Sequence, residues 1–131
     1  MPPIQVTALY AGILALLYVL LAAAVIRGRR QLAISLGSGS NTRFERTIRG
    51  HGNFAEYVPL ALLLMAFAEI NGNPPTVIHT LGAVLLAGRL LHAWCFIFTV
   101  RNLNARVLGM VLTLGTIISG ALLALRAGFN V

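Results

Sequence analysis

The sequence predicts an all-α membrane protein, a bundle of four transmembrane helices, and three observations support this fold class. Of its 131 residues, 58% are hydrophobic and only 10% are charged, whereas a soluble domain carries about 25% charged residues. The mean hydropathy is +0.86. Apolar segments at 6–26, 77–100 and 107–125 are each long enough to cross about 30 Å of hydrocarbon. A fourth helix is expected between the first two of these segments, so we expect residues 1–131 to form a single transmembrane domain.

Helix one is expected over residues 5–27. Small residues at Ala8, Gly12 and Ala15 permit close contact with another helix. The positive charges follow the apolar stretch instead of preceding it, which is the reverse of a secretory signal, so we expect a retained helix. Residues 35–41 are rich in Ser and Gly and predict a flexible loop.

Helix two is expected over residues 42–70. Its uninterrupted apolar run, 57–68, is too short to span a membrane alone, so the helix must include the polar residues before it. Pro59 lies inside it and predicts a bend. The Asn-Gly-Asn-Pro-Pro sequence at 71–75 predicts a tight turn.

Helices three and four are expected over 76–100 and 105–126. Helix four carries a row of small residues suited to helix packing. These residues are Gly109, Thr113, Thr116 and Gly120.

The distribution of charge predicts the orientation. All ten basic residues are Arg; six of them cluster around the connection of helices one and two, Arg101 and Arg106 lie around the connection of helices three and four, and the loop at 71–75 has none. The positive-inside rule therefore places both Arg-rich connections in the cytoplasm and both termini in the periplasm. Membrane topology explains the net charge of +7, so no nucleic-acid partner is expected.

A run of polar residues on helix two is the strongest functional signal. Arg46, Arg49, Asn53 and Glu56 fall within an arc of roughly 80° on one helix face, and we call them the polar seam. Thr42 and Glu45 extend it by one turn. Charged groups beside hydrocarbon are costly unless they are paired or solvated, so the seam predicts a site.

Arg89 is a second unusual charge, near the middle of helix three. Such residues face the bundle interior and have a partner, and Glu56 is the expected one. One interpretation is a purely structural pair between helices. The other interpretation is that these residues bind an anionic ligand. One carboxylate cannot neutralise Arg46, Arg49, Arg89 and Arg106 together, and guanidinium groups bind carboxylates in bidentate geometry.

Metal and thiol chemistry are not indicated. His51, His79 and His92 lack metal-ligand spacing, so no metal site is expected. Cys95 is the only cysteine, and we expect a small buried thiol.

Arg106 and Arg101 are each either a topology-setting loop charge or a site residue.

The motif Phe44-Glu45-Arg46-x-x-Arg49-x-His51-x-Asn53-x-x-Glu56-Tyr57-x-Pro59-Leu60 resembles the signature of the MAPEG family, the membrane-associated proteins of eicosanoid and glutathione metabolism. Most of it is similar to the leukotriene C synthase branch, whereas His51 matches the prostaglandin E synthase branch. The Arg89-x-x-His92 pair and the four-helix layout extend the resemblance over essentially the whole chain. Short bacterial inner-membrane members look most similar.

The resemblance implies a homotrimer that binds glutathione as a co-substrate between neighbouring subunits, near the cytoplasmic side. Arg106 resembles the family's catalytic, thiol-activating Arg. His51, with Arg27 or Arg29, would reach the neighbouring subunit's ligand. The glutathione-binding candidates are Arg27, Arg46, Arg49, His51, Asn53, Glu56, Tyr57, Arg89, His92 and Phe96.

Two positions depart from the family pattern, because Phe96 and Met110 stand where family enzymes commonly have Tyr. The connection from Arg89 to Arg106 is also slightly longer than in the synthases, so Arg101 is the alternative for the catalytic position.

The resemblance implies a glutathione transferase or peroxidase in the bacterial inner membrane, acting on a lipophilic electrophile or hydroperoxide that arrives from the membrane lipids. The alternative is a non-enzymatic module of the same fold that binds a lipid or a partner protein. A small transporter subunit is disfavoured, since helices one and four carry no charged relay.

Overall fold

The computed structural model describes residues 3–98 and 102–129. Its four helices are α1 (Gln5–Leu32), α2 (Thr42–Ile70), α3 (Pro75–Phe98) and α4 (Leu103–Phe129). All four are long and apolar enough to cross a membrane, which confirms the predicted fold class of an all-α membrane protein.

The predicted helix bounds are close to the observed ones. Helix α2 matches its predicted range, α1 continues from the predicted end at 27 to Leu32, and α4 begins at Leu103 and ends at Phe129. The longer α1 places Arg29 and Arg30 in its last turn. Arg101, the alternative catalytic candidate, lies outside the described residues.

The start of α1 is held by a side chain from the end of α2. Ile4 occupies the N-cap position, and its side chain forms no hydrogen bond with the N–H groups of the first turn. That turn also contains no acidic residue. Instead, the two carboxylate oxygens of Glu69 accept the backbone N–H groups of Val6 and Thr7, each at 2.8 Å. A carboxylate at a helix N-terminus satisfies unpaired N–H groups and complements the helix dipole. This contact joins α1 to α2 at the Asn71–Pro75 end of the bundle.

At the opposite end of the bundle, hydrogen bonds hold the loop between α1 and α2 against the ends of these helices. The guanidinium of Arg29 donates hydrogen bonds to the carbonyl oxygens of Ser35 at 3.1 Å and Gly37 at 3.2 Å. Asn41 caps α2, since its side-chain oxygen accepts the N–H of Phe44 at 2.9 Å. Both helix ends are thereby fixed beside each other.

Helices α2 and α3 form the centre of the bundle, because each of them contacts the other three helices, whereas α1 and α4 do not touch within the described chain. The apolar core lies between α1, α2 and α3 and includes Leu14, Phe54, Met65 and Leu85, all nearly inaccessible to solvent. Helices α2 and α3 together therefore separate α1 on one side of the protein from α4 on the other.

The small residues of helix four pack as predicted. Gly109, Thr113, Thr116 and Gly120 are all buried. A Cβ atom at Gly109 would lie 2.8 Å from the carbonyl oxygen of Gly88 on α3, so the two helices approach backbone to backbone.

The small residues of helix one do not pack against this chain. Ala8, Gly12 and Ala15 are exposed, and nothing lies within 4 Å of the position that a Gly12 side chain would take. Helix α1 instead buries Thr7, Leu14 and Leu21. The expected close contact through the small residues is therefore not formed inside the protomer.

We predict that Gly109→Ala destabilises the protein by about 1–3 kcal/mol, the usual cost of overpacking, because the added methyl group meets backbone that cannot rotate away. Gly115→Ala is the matched control on α4, since nothing lies within 4 Å of its added methyl group. Thermal unfolding in detergent should show a lower midpoint for Gly109→Ala only. Equal midpoints for the two variants would contradict this tight approach of α3 and α4.

Candidate functional site

A pocket of about 420 Å³ opens between α2, α3 and α4, at the end of the bundle that carries the α3–α4 connection. We call it the arginine pocket. Its lining consists of Thr42, Glu45, Arg46, Arg49, Asn53, Tyr57, His92, Phe96, Arg106 and Met110. Three helices thus bring seven of the predicted site residues together.

The polar seam forms one wall of this pocket, as its helical spacing predicts. Arg46, Arg49 and Asn53 line the pocket, and Glu56 lies one turn further along the same face. The Arg49 Nη1 and Glu56 Oε1 atoms are 3.9 Å apart, and both side chains are more than half exposed. Such an exposed pair contributes little stability, so both groups are available to a ligand.

Arg89 is buried behind the pocket, with 1% of its surface exposed. Its Nη1 donates to Asn53 Oδ1 at 2.8 Å, and its Nη2 lies 3.5 Å from the sulfur of Met110. The prediction that Glu56 is the partner of Arg89 is therefore wrong. Asn53 lies on the part of α2 that faces α3, whereas Glu56 is at the exposed rim and pairs with Arg49. The partner is a neutral amide, so the positive charge of Arg89 is not neutralised.

Phe96 is the aromatic centre of the pocket. The guanidinium carbons of Arg46 and Arg106 lie 5.8 Å and 5.3 Å from its ring centroid, within the range of cation–π attraction. The His92 ring stacks on it at 4.6 Å. Gly50 makes room for it, since a Cβ atom there would lie 2.9 Å from Phe96 Cβ. The ring thus holds two positive groups beside each other without supplying a hydroxyl.

The corner between α3 and α4 is organised by hydrogen bonds that also position the pocket. Arg46 Nη2 donates to the backbone oxygen of Cys95 at 3.2 Å. The buried Cys95 thiol, found where a buried thiol was expected, donates to the backbone oxygen of Asn102 at 3.1 Å. The side chain of Asn102 in turn accepts the N–H of Ala105 at 3.0 Å. These contacts fix the first turn of α4, which carries Arg106.

Two predicted site residues lie elsewhere in the protomer. His51 stacks on Tyr18 of α1, with ring centroids 4.8 Å apart. Arg27 is exposed near the end of α1 and lines a different groove. Both residues therefore lie on the α1 side of the protein, away from the arginine pocket.

The pocket also contains three residues that the sequence did not assign to the site. The sequence indicates Thr42 and Glu45 only as an extension of the seam, although their helical spacing from Arg49 places them on the same face. Met110 stands out in the sequence only as a departure from the family pattern. Its position four residues after Arg106 puts it on the same face of α4, and this spacing could have indicated it.

The charges make the pocket suitable for a ligand with more negative than positive groups. Arg46, Arg49 and Arg106 line it together with one carboxylate, Glu45, and Arg89 adds a positive charge behind the wall. In the part of the chain that the structure describes, no group of three or more His, Cys, Asp or Glu could hold a metal ion. The guanidinium groups are suited to recognise carboxylates through charge-assisted hydrogen bonds.

Comparison with known proteins places the chain among membrane proteins of one family. The family model described as the MAPEG family matches residues 7–126. The inner membrane protein YecN from each of two Escherichia coli strains is 44% identical over 92 residues, which cover 70% of this chain and 70% of each relative.

We predict that Asn53→Leu destabilises the protein by about 2 kcal/mol or more, because it leaves the buried Arg89 guanidinium without its oxygen acceptor. The double variant Asn53→Leu with Arg89→Leu should recover part of this loss, since it removes both polar partners. Thermal unfolding of both single variants and the double variant measures the coupling. Losses that simply add would show that the two side chains are not energetically linked.

Proposed function

The chain belongs to the MAPEG family, and we propose that it is an inner-membrane glutathione transferase or peroxidase with its glutathione in the arginine pocket. The observation that carries the proposal is the convergence of Arg46, Arg49 and Arg106 on one pocket from two helices. Two carboxylates accompany these three guanidinium groups, Glu45 in the lining and Glu56 at the rim, so the pocket keeps a net positive charge that suits an anionic ligand.

The functional groups of glutathione match those of the pocket. The tripeptide offers two carboxylates, one ammonium and one thiol. Guanidinium groups bind carboxylates through charge-assisted hydrogen bonds, and Glu56 at the rim is suited to the ammonium. Glu45, inside the lining, is a second carboxylate that could contact the same group. Asn53 Oδ1 already accepts from Arg89, so its amide N–H₂ remains suited to donate to the ligand.

Activation of the thiol is assigned to Arg106. A free thiol with a pKa near 8.5 is mostly protonated at neutral pH, and an adjacent positive charge lowers that pKa. Arg106 lies in the first turn of α4 with its guanidinium over Phe96, at the edge of the pocket where a thiol would enter. The thiolate would then form a thioether with a lipophilic electrophile that arrives laterally from the bilayer. With a hydroperoxide it would attack the terminal oxygen and break the O–O bond, which releases the alcohol and leaves a sulfenic acid that a second glutathione converts to the disulfide and water.

We propose that a homotrimer completes the site. In one protomer Arg49 and Glu56 are more than half exposed, which is unfavourable for charges beside hydrocarbon unless something covers them. A neighbouring subunit that presents its α1 side would cover them and bring its own Arg27 and His51 to the ligand. Arg27 is preferred over Arg29, because Arg29 already donates to two loop carbonyls.

The orientation follows from the charges. Arg27, Arg29, Arg30, Arg43 and Arg46 lie at the same end of the bundle, so the positive-inside rule favours a cytoplasmic location for this end and a periplasmic location for both termini. The relatives named as inner membrane proteins support that membrane for this chain as well.

A non-enzymatic module that binds a lipid or a partner protein is the second candidate. Phe96 and Met110 line the pocket where the resemblance leads us to expect Tyr. Neither side chain has a hydroxyl group to donate to a reacting thiol. This candidate shares the pocket but forms no thiolate.

We predict that Arg49→Ala and Glu56→Ala each weaken glutathione binding by roughly 2 kcal/mol, the typical loss of a charged hydrogen bond. Isothermal titration of the purified protein measures the change. Arg30→Ala is the control, since Arg30 is exposed and does not line the pocket. Unchanged affinity in both site variants would show that the seam is structural.

For the thiolate, we predict that Arg106→Ala reduces the ultraviolet absorbance of bound glutathione thiolate at neutral pH and leaves affinity only modestly changed. A pKa change of one unit corresponds to about 1.4 kcal/mol. Arg101→Ala should have little effect. If Arg101→Ala removed the thiolate signal and Arg106→Ala did not, Arg101 would be the residue that activates the thiol. If the unmodified protein bound glutathione without a thiolate band, the non-enzymatic module would be supported instead.

For the assembly, native mass spectrometry in mild detergent should give three times the 14.0 kDa mass of one chain. Detection of only monomers or dimers would contradict the shared site.

A further inference from the structure

His92 is a buried polar side chain that forms no hydrogen bond within the described part of the chain. It lines the arginine pocket with only 2% of its surface exposed, and neither ring nitrogen has a partner among the described residues. The fully enclosed polar atoms that lack a partner there are Thr7 Oγ1 and Arg89 Nε. The His92 nitrogens are not among them, so they reach the surface of the pocket. A buried polar group without a partner is unfavourable, and a ligand in the pocket would supply the missing bond.

Packing restricts the imidazole ring of His92. The ring stacks on Phe96 with the centroids 4.6 Å apart and the planes inclined by 29°. Helix α4 is also close, since a Cβ atom at Gly109 would lie 3.1 Å from His92 Cβ. A side chain that is held in place before binding loses little entropy when a ligand arrives.

His92 lies beside the position that the proposed function gives to the thiol. The guanidinium carbon of Arg106 lies 5.3 Å from the ring centroid of Phe96, and the His92 ring stacks on the same Phe96 ring. The two groups therefore meet at one aromatic side chain. Helix α3 runs toward the end of the bundle with the Arg-rich connections, which we call the Arg-rich end. His92 precedes Phe96 by four residues, so it lies about one turn deeper in the membrane, on the side from which a lipophilic substrate would arrive.

The hydroxyl groups of the pocket lie at other depths. Gly50 packs against Phe96 and marks the level of that ring on α2. Tyr57 lies about two turns deeper along α2 than Gly50, and Thr42 lies about two turns nearer the Arg-rich end. His92 is therefore the better placed of these uncharged donors to reach a sulfur atom between Arg106 and Phe96.

We propose that His92 donates a hydrogen bond to the sulfur of bound glutathione and, with Arg106, stabilises its thiolate; this role rests on the proposed function. A neutral or protonated imidazole carries at least one N–H group, so a donor is present in both states. Hydrogen bonds to an ionised acceptor are the stronger ones, and the bond therefore favours the thiolate over the thiol. The thiol proton leaves to water, because His92 acts as a donor and not as a base. His92 thereby supplies the hydrogen bond that Phe96 and Met110 cannot.

Other charged and titratable groups face the same pocket and remain unchanged in the variants of His92. In the proposed trimer, Arg27 and His51 of the neighbouring subunit would join them. Those of the protomer are Glu45, Arg46, Arg49 and Tyr57 on α2 and Arg106 on α4, with Arg89 of α3 behind the wall and Glu56 at the rim.

A pH titration of the ultraviolet thiolate band of bound glutathione tests the role of His92. His92→Phe removes the donor and keeps a ring that can stack on Phe96, so the midpoint of the band should rise by about one pH unit. His79→Phe is the matched control, because it makes the same change at an exposed residue near the opposite end, and it should leave the midpoint unchanged. Ophthalmic acid, which lacks the thiol, should bind His92→Phe within about twofold of its affinity for the unmodified protein, which would show that the pocket is intact.

Two conservative variants separate a hydrogen bond from packing. His92→Gln and His92→Asn each keep an amide N–H₂ donor, placed approximately where Nε2 and Nδ1 lie, and one of them should return the midpoint to that of the unmodified protein. An unchanged midpoint in His92→Phe would overturn the proposal. Midpoints raised in both amide variants would also overturn it, even if His92→Phe does not fold, because loss of packing would explain them. Absence of glutathione binding by the unmodified protein would instead overturn the proposed function itself.

Discussion

The structure depends on how the bundle accommodates one charge, the guanidinium of Arg89 in the middle of a membrane-spanning helix. A buried charge in an apolar bundle is tolerated only with hydrogen-bond partners directed at it. Asn53 supplies an oxygen at 2.8 Å from α2, and Met110 contributes its sulfur from α4. The two helices must therefore turn these faces toward α3 at the same depth. Gly88, next to Arg89, allows α4 to approach closely enough.

The arginine pocket follows from this arrangement. Once Asn53 is directed at α3, the helical repeat places Arg49 and Arg46 on the same side of α2, one and two turns nearer the Arg-rich end. Phe96, two turns beyond Arg89 on α3, then meets the guanidinium groups of Arg46 and Arg106. Cation–π contacts gather positive charges without neutralising them. The result is a pocket that retains its attraction for an anion.

Much of this was predictable from the sequence, because helical periodicity determines which residues share a face. The four spans, the seam and the buried position of Arg89 follow from hydropathy and spacing. The partner of Arg89 does not, since Asn53 and Glu56 lie three residues apart on similar faces and only the rotation of α2 selects between them. Likewise, two rows of small residues have similar spacing, but only the row on α4 meets a backbone; the row with Gly12 is exposed. The placement of His51 against Tyr18 also depends on packing between helices.

The central claim is that the net positive charge of the pocket recognises glutathione. Isothermal titration of the purified, unmodified protein with glutathione tests it most directly, with ophthalmic acid, the analogue that lacks the thiol, as a comparison. The account predicts saturable binding of glutathione, and binding of the analogue as well, because the guanidinium groups recognise carboxylates that both molecules share. Absence of saturable binding by glutathione at millimolar concentration would contradict the account.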